Sequence, residues 1–220
     1  MIKAVIFDFD GLILDTETAW YDTYKQILKE TYDFDLPLSE FVKGVGGEDT
    51  ALLSYIDEEL KGEFQLEGFQ EKVDVIHAER IKEAKAREGV EDYLQAASEA
   101  GYQIALASSS KREWVTTHLT NLGLISYFDH FVTSDDVENI KPAPDLFLKA
   151  IEELAVKPEE AIVFEDSLNG LIAARKANIK TIIVPNPVTE HLPFEDHHLK
   201  IGSMKEMSLT EIIKSVEEVK

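Results

Sequence analysis

The chain has 220 residues, 44% hydrophobic and 30% charged, which is the composition of a globular protein and not of a disordered or fibrous one. Its 43 acids against 22 bases give a formal charge of −21, which sets it against nucleic acid and anionic lipid as partners. With no cysteine it has no disulfide framework, thiolate metal site or catalytic thiol. No targeting segment and no run near the roughly 20 apolar residues of a membrane span stand out, so a monomeric cytoplasmic protein is expected.

In chain order, Ile2 to Phe7 reads as a buried strand because it is apolar and ends at Asp8. Helical patterns follow: Trp20, Tyr24, Ile27 and Leu28 form one apolar stripe, Leu52, Leu53, Ile56 and Leu60 a second, and Phe69, Val73 and Ile76 a third. Tyr102 to Ala107 is the second strand, and Val115, Leu119 and Leu122 mark the helix after it. Phe131-Val132 is a weak strand. Phe147, Ile151 and Leu154 define a helix before a strand at Ala161 to Phe164, then Leu168, Leu171 and Ile172 another before Thr181 to Val184. Leu209, Ile212, Ile213 and Val216 close the chain as a helix packed on the sheet.

Strands alternating with single helices predict an α/β fold with a mostly parallel, Rossmann-like sheet. A crossover needs only about a dozen residues, so the strandless stretch of helices after the first strand is a structure of its own. The expected organisation is a core of residues 1–15 and 89–220 and an inserted all-helical cap of residues 16–88, with hinges near Asp15 and near Arg87-Glu88-Gly89.

In such a sheet ligands bind beyond the carboxyl ends of the strands. Those ends carry Asp8-Phe9-Asp10-Gly11, then Ser108-Ser109-Ser110-Lys111, then Glu165-Asp166-Ser167, with Lys141-Pro142 in a loop before the third. Asp8 and Asp10, two apart, point to the same side of extended backbone. Carboxylates gathered this way repel unless a cation sits among them, and an oxygen-only donor set suits a hard ion such as Mg²⁺. Ser108 and the N–H groups opening the next helix offer donors to a phosphate, and Lys141 adds a fixed positive charge. A carboxylate nucleophile, an acid/base partner, a metal and a cationic clamp are the parts of phosphoryl transfer through an aspartyl phosphate.

Asp8-Phe9-Asp10-Gly11 with Asp15-Thr16-Glu17, then Ser108, then Lys141-Pro142-Ala143-Pro144, then Glu165-Asp166-Ser167 resemble the four motifs of the haloacid dehalogenase-like phosphatases, in the β-phosphoglucomutase and phosphoglycolate phosphatase branch. The resemblance implies that Asp8 attacks phosphorus and that Asp10 protonates the leaving group and later activates water, its carbonyl also binding the metal. It implies that Ser108, assisted by Ser109, holds a phosphoryl oxygen and that Lys141 screens charge. Asp166 would complete the Mg²⁺ shell, with Glu165 beside it or behind it.

Two positions depart from the mutases. Trp20 stands where they carry a histidine that engages the acid/base aspartate, and Gly47 of Lys43-Gly44-Val45-Gly46-Gly47 stands where they carry an arginine for a second phosphate. Hydrolysis of a small phosphorylated metabolite is therefore expected ahead of the alternative, phosphosugar mutase activity, with Gly46 and Gly47 among the residues facing substrate. A receiver-like signalling module is disfavoured by the large helical insert, and a dehalogenase by the metal-site acids. Ser110 with Glu113 reads as a helix-capping box. Lys111, Arg112 and Arg175 read as solvated, Glu195 to His198 as an exposed loop, and no histidine as a metal ligand.

Overall fold

A computed structural model describes residues 1–218. Six strands, β1 (Ala4–Phe7), β2 (Gln103–Ala107), β3 (His130–Val132), β4 (Ala161–Glu165), β5 (Lys180–Ile183) and β6 (Leu199–Lys200), form one parallel sheet in the order β3-β2-β1-β4-β5-β6. The central strand β1 is buried throughout, as its apolar composition demands. Each fully buried Val, Ile or Phe side chain stabilises the fold by about 1.5–3 kcal/mol before entropy is counted.

The period of two divides the sheet's side chains between two layers. Val5, Phe7, Ile104, Leu106, Ile162 and Phe164 face a layer that includes α5 (Val90–Glu99), α6 (Arg112–Asn121) and α9 (Leu209–Glu218). Phe7 stacks on Phe164 there, with ring centroids 5.2 Å apart. Ala4, Ile6, Ala105, Ala107, Ala161 and Val163 face the other layer, made by α7 (Asp145–Glu153) and α8 (Leu168–Lys176).

The remaining helices, α1 (Thr16–Tyr32), α2 (Leu38–Phe41), α3 (Thr50–Glu59) and α4 (Leu66–Ile81), all lie between β1 and β2 in the chain. They share a separate apolar cluster around Tyr24, Leu28, Leu52, Ile56, Phe69 and Val73. Asp15 starts α1 by accepting a hydrogen bond from the Thr18 N–H at 3.1 Å, the usual role of an aspartate N-cap. The chain leaves for these helices and returns at one place, where Leu14 pairs with Ala86 in an antiparallel bridge and the Arg87 N–H donates to the Ile13 carbonyl. The Arg87 guanidinium then donates to the carbonyls of Gly11, Val184 and Pro185, tying this crossing to the end of β5. No helix among the described residues is long and apolar enough to cross a membrane.

Three elements are missing from the periodicity reading, the first being α5, whose buried face is Val90, Tyr93, Leu94 and Ala97. The two-residue β6 is too short to show a pattern, and one-turn α2 is held by packing of its buried Phe41. The helix α6 also begins later than the expected Ser110-Glu113 capping box: Lys111 is its N-cap and makes no side-chain cap. Ser110 has a different partner, described below.

Candidate active site

Strand register brings the chemistry together. Phe7 pairs with Leu106 on one side and Phe164 on the other, so the carboxyl ends of β1, β2 and β4 are level. The residues immediately beyond are Asp8, Ser108 and Asp166. A cavity of about 300 Å³ opens above them, lined from the sheet edge by Asp8, Asp10, Ser108, Ser109, Ser110, Lys111 and Trp114. From the helical side it is lined by Glu17, Trp20, Tyr24, Phe41, Gly46, Gly47 and Asp49, among others.

Lys141 lies beneath this cavity. Its side chain is 1% exposed, and its Nζ donates to Asp8 Oδ1 and Glu165 Oε1, each at 2.6 Å. The burial of the ammonium works against its charge, but the two carboxylates outweigh that and hold its pKa above the ordinary value. Glu165 Oε2 accepts three more bonds, from the N–H groups of Asp166 and Ser167 and from the Ser167 hydroxyl. Ser167 in turn caps α8 through the Gly170 N–H. Glu165 is thus fully engaged with its neighbours.

Asp8 is 3% exposed. Burial, then the negative charge of Glu165, push its carboxyl up to about 7 although Lys141 opposes the shift. Asp166 is fully buried, and burial, then Glu165 and Asp8, raise it well above the usual carboxylate range. Its Oδ2 accepts from the Asn186 amide at 2.7 Å, while its Oδ1 is buried with no partner.

An orphaned buried carboxylate oxygen is costly in an apolar surround and calls for a cation or donor. Asp8, Glu165 and Asp166 each offer a carboxylate oxygen within 4.8 Å of the others. Hard oxygen donors in a buried anionic cluster fit a divalent ion of the Mg²⁺ type. Gly11 is required beside this cluster: its φ is +76°, and a Cβ there would strike the Asp166 carboxylate.

Asp10 sits apart from that cluster, in a nest of donors. Ser110 Oγ reaches its Oδ2 at 2.6 Å, and Trp114 Nε1 and Thr16 Oγ1 each reach its Oδ1 at 3.0 Å, with Ser108 Oγ at 3.5 Å from Oδ2. Ser110 is therefore an Asp10 ligand and not a helix cap, correcting the capping-box expectation. Trp114 belongs to an aromatic column: His77 lies flat on Trp20 with centroids 3.5 Å apart, and Trp114 stacks 5.8 Å beyond His77. Trp20 lines the cavity, but its partner is His77 and not Asp10. The Ser109 hydroxyl donates to the Gly46 carbonyl at 2.9 Å, and the Asn169 amide donates to the Val45 carbonyl, fastening the glycine loop to the sheet edge.

Of the site residues expected from sequence, Asp8, Asp10, Ser108, Ser109, Gly46 and Gly47 line this cavity, while Lys141, Glu165 and Asp166 are buried beside Asp8. Trp114, Thr16, Asn186 and Arg87 were not singled out for contacts of this kind. Arg112 and Arg175 pair with Asp136 and Asp196 away from the cavity, whereas Lys111 lines it.

Comparison with known proteins agrees with this architecture. Residues 5–184 match the haloacid dehalogenase-like hydrolase family. The chain is 46% identical over 213 residues to the Bacillus subtilis protein named "Putative phosphatase YhcW", covering 95% of each. It is 33% identical over 187 residues to a phosphorylated carbohydrates phosphatase of Thermotoga maritima, covering 82% of this chain and 84% of that one. The crystal structure of β-phosphoglucomutase from Clostridium difficile superposes with a TM-score of 0.80 at 26% identity, covering 99% of this chain and 98% of that one. The chain belongs to the haloacid dehalogenase-like hydrolases, in their phosphoglucomutase and phosphatase branch, and is a phosphoric monoester hydrolase.

Proposed function

We propose that this hydrolase uses Mg²⁺ and a covalent aspartyl phosphate to cleave the phosphate monoester of a small phosphorylated metabolite, with phosphorylated carbohydrates the leading class. The observation that carries the reading is the Asp8-Lys141-Glu165 bridge set beside the unpartnered oxygen of Asp166. It leaves one nucleophilic carboxylate held by a buried cation at the floor of a cavity.

In this reading residues 1–15 and 89–220 supply the chemistry and residues 16–88 cover the substrate, excluding bulk water. Asp8, Asp166 and the Asp10 carbonyl would hold the ion, with Glu165 buttressing Lys141. When bound, Mg²⁺ offsets the repulsion between the carboxylates and the phosphate and polarises the phosphoryl oxygens. Asp8, with Oδ1 tied to Lys141, attacks phosphorus through Oδ2 as the bond to the leaving oxygen breaks. Asp10 gives that oxygen its proton. Asp10 then takes a proton from water, whose oxygen attacks phosphorus and returns Asp8 as a carboxylate with release of inorganic phosphate. Ser108, Ser109 and the N–H groups near the start of α6 bind the phosphoryl oxygens, and Lys141 screens their charge from Asp8.

Gly47, in place of a second phosphate clamp, favours hydrolysis over mutase chemistry, which must hold two phosphates in turn. The test is phosphate release from an aryl phosphate and a panel of sugar phosphates, with Mg²⁺ and with EDTA. Turnover should require the ion, and Asp8→Asn should lower it by more than about a thousandfold while the fold is retained. Activity of Asp8→Asn within tenfold of the parent would remove Asp8 as nucleophile. Conversion of a hexose 1-phosphate to its 6-phosphate isomer in the presence of bisphosphate would replace phosphatase by mutase.

A further inference from the structure

Glu17 poses a question that the reaction above leaves open. It lies in the first turn of α1, next to Thr16, whose hydroxyl holds Asp10. Its side chain lines the cavity, yet the residue is only 8% exposed. No hydrogen-bond donor reaches its carboxylate among the described residues. The strongest charges acting on it, from Asp10, Asp49, Asp8 and Asp15, are of its own sign. An acid in a first helical turn is ordinarily solvated and interacts with the helix dipole, but here Asp15 already caps the turn, and the largely buried Glu17 side chain borders the cavity instead of the outer surface. A largely buried carboxylate without a protein donor, on the wall of a substrate cavity, lacks a partner that the substrate can bring.

The rest of the wall says what kind of partner. Lys141 is engaged below by Asp8 and Glu165, so among the residues lining the cavity the one lysine or arginine is Lys111, an exposed side chain on the sheet-edge side with the phosphate-binding serines. The helical side presents Glu17 and the exposed Asp49 beside Trp20, Tyr24 and Phe41, with no cation. Aromatic faces with acceptors at their edge suit a polyhydroxylated body, and a second anionic group on the substrate would meet only carboxylates there.

Taking the phosphatase reading as given, we propose that Glu17 selects the alcohol half of the substrate. It accepts a hydrogen bond from a hydroxyl or ammonium donor on the leaving group and excludes substrates that carry a second anion at that end. A site built around such an acceptor discriminates strongly against an analogue without the donor, because the acceptor is then left buried and unpaired.

Four matched six-carbon esters test this with the intact Mg²⁺-loaded enzyme: glucose 6-phosphate, glucosamine 6-phosphate, 6-phosphogluconate and n-hexyl phosphate. The parent should favour glucose 6-phosphate or glucosamine 6-phosphate over hexyl phosphate by roughly 10- to 100-fold in kcat/KM, with 6-phosphogluconate well below its hydroxylated counterpart. The better of the first two tells a hydroxyl donor from an ammonium. Glu17→Met, which removes the acceptor, should bring the glucose-to-hexyl ratio within about threefold of unity. Glu17→Gln, which keeps the shape and loses the charge, should raise 6-phosphogluconate relative to glucose 6-phosphate. Circular dichroism melts confirm that each variant is folded. Ratios unchanged in both variants, or 6-phosphogluconate as the best parent substrate, would overturn the proposal while leaving the phosphatase reading in place. Release of no phosphate from these esters or from an aryl phosphate would overturn the phosphatase reading, and this proposal with it.

Discussion

Replacing Lys141 with methionine removes a buried cation while keeping a chain of similar length in its slot. The side chains it bridges, Asp8 and Glu165, are 4% and 0% exposed, so water cannot take the lysine's place. Removing one partner from a buried ion pair costs about 3–5 kcal/mol. Glu165 retains three donors on its other oxygen, so the loss falls mainly on Asp8, and about 4 kcal/mol is expected. For a chain of this length each kcal/mol moves Tm by roughly 2–4 °C, which gives a fall of roughly 8–16 °C. The assay is thermal unfolding followed by circular dichroism at pH 7.5 in EDTA, so that side chains alone are compared. The double variant with Glu165→Gln should then show a coupling of at least about 1 kcal/mol, as contacting residues do. A Tm shift under about 3 °C, or additive effects in the cycle, would refute the picture of one shared buried cation.

Trp114→Phe keeps the ring against His118, 4.3 Å away, but loses the N–H that reaches Asp10. With Ser110 and Thr16 still in place, kcat should fall about tenfold with KM within about twofold, and an unchanged kcat would free Asp10 from this contact. Burial lowers the His77 pKa to about 4 from 6.5. Between those values the unfolded chain binds a proton that the folded protein refuses. Stability is therefore whole above pH 6.5 and declines by about 1.4 kcal/mol per unit as pH falls, to about 3 kcal/mol in all. His77→Phe, which preserves the stack, should flatten the urea midpoint between pH 7 and 5, and a parent-like slope would count against it. Gly170→Ala gains about 1 kcal/mol of helix propensity, but its Cβ would land on the Glu165 carboxylate. Overpacking of about 1–3 kcal/mol should prevail, so a rise in Tm would show that the Lys141 bridge yields easily.

The sheet was readable because its strands carry their signal locally. Val5, Ile6 and Phe7 are contiguous, apolar and stopped by an acid, and β2, β4 and β5 are likewise short, mainly apolar runs, ended by Ser108, by Glu165 and by Pro185. Strand ends in turn told where Asp8, Ser108 and Asp166 would stand. What escaped depends on partners remote in the chain. Trp114 meets Asp10 across 104 residues, and nothing in a tryptophan on an amphipathic helix announces that contact. Asn186 reaches Asp166 from a loop without periodicity, and the three carbonyls bound by Arg87 become neighbours only once β5 has paired with β4. Ser110 shows the opposite error: its spacing to Glu113 satisfies a local rule, but its hydroxyl donates to the Asp10 carboxylate at 2.6 Å and its N–H donates to Ser108 Oγ instead of to Glu113.

The Leu14–Ala86 bridge has a use in engineering. The outgoing and returning segments are already paired there, with Arg87 locking the junction to Gly11, Val184 and Pro185, so the helices beyond join the sheet through one braced crossing and touch it again only by contacts such as Ser109 to Gly46 and Asn169 to Val45. Transplanting the corresponding helices of a relative onto that crossing, with Leu14, Ala86 and Arg87 kept and the Gly46 and Val45 carbonyls still met by Ser109 and Asn169, is the design this geometry suggests for retargeting the enzyme without altering the sheet that holds Asp8 and Lys141.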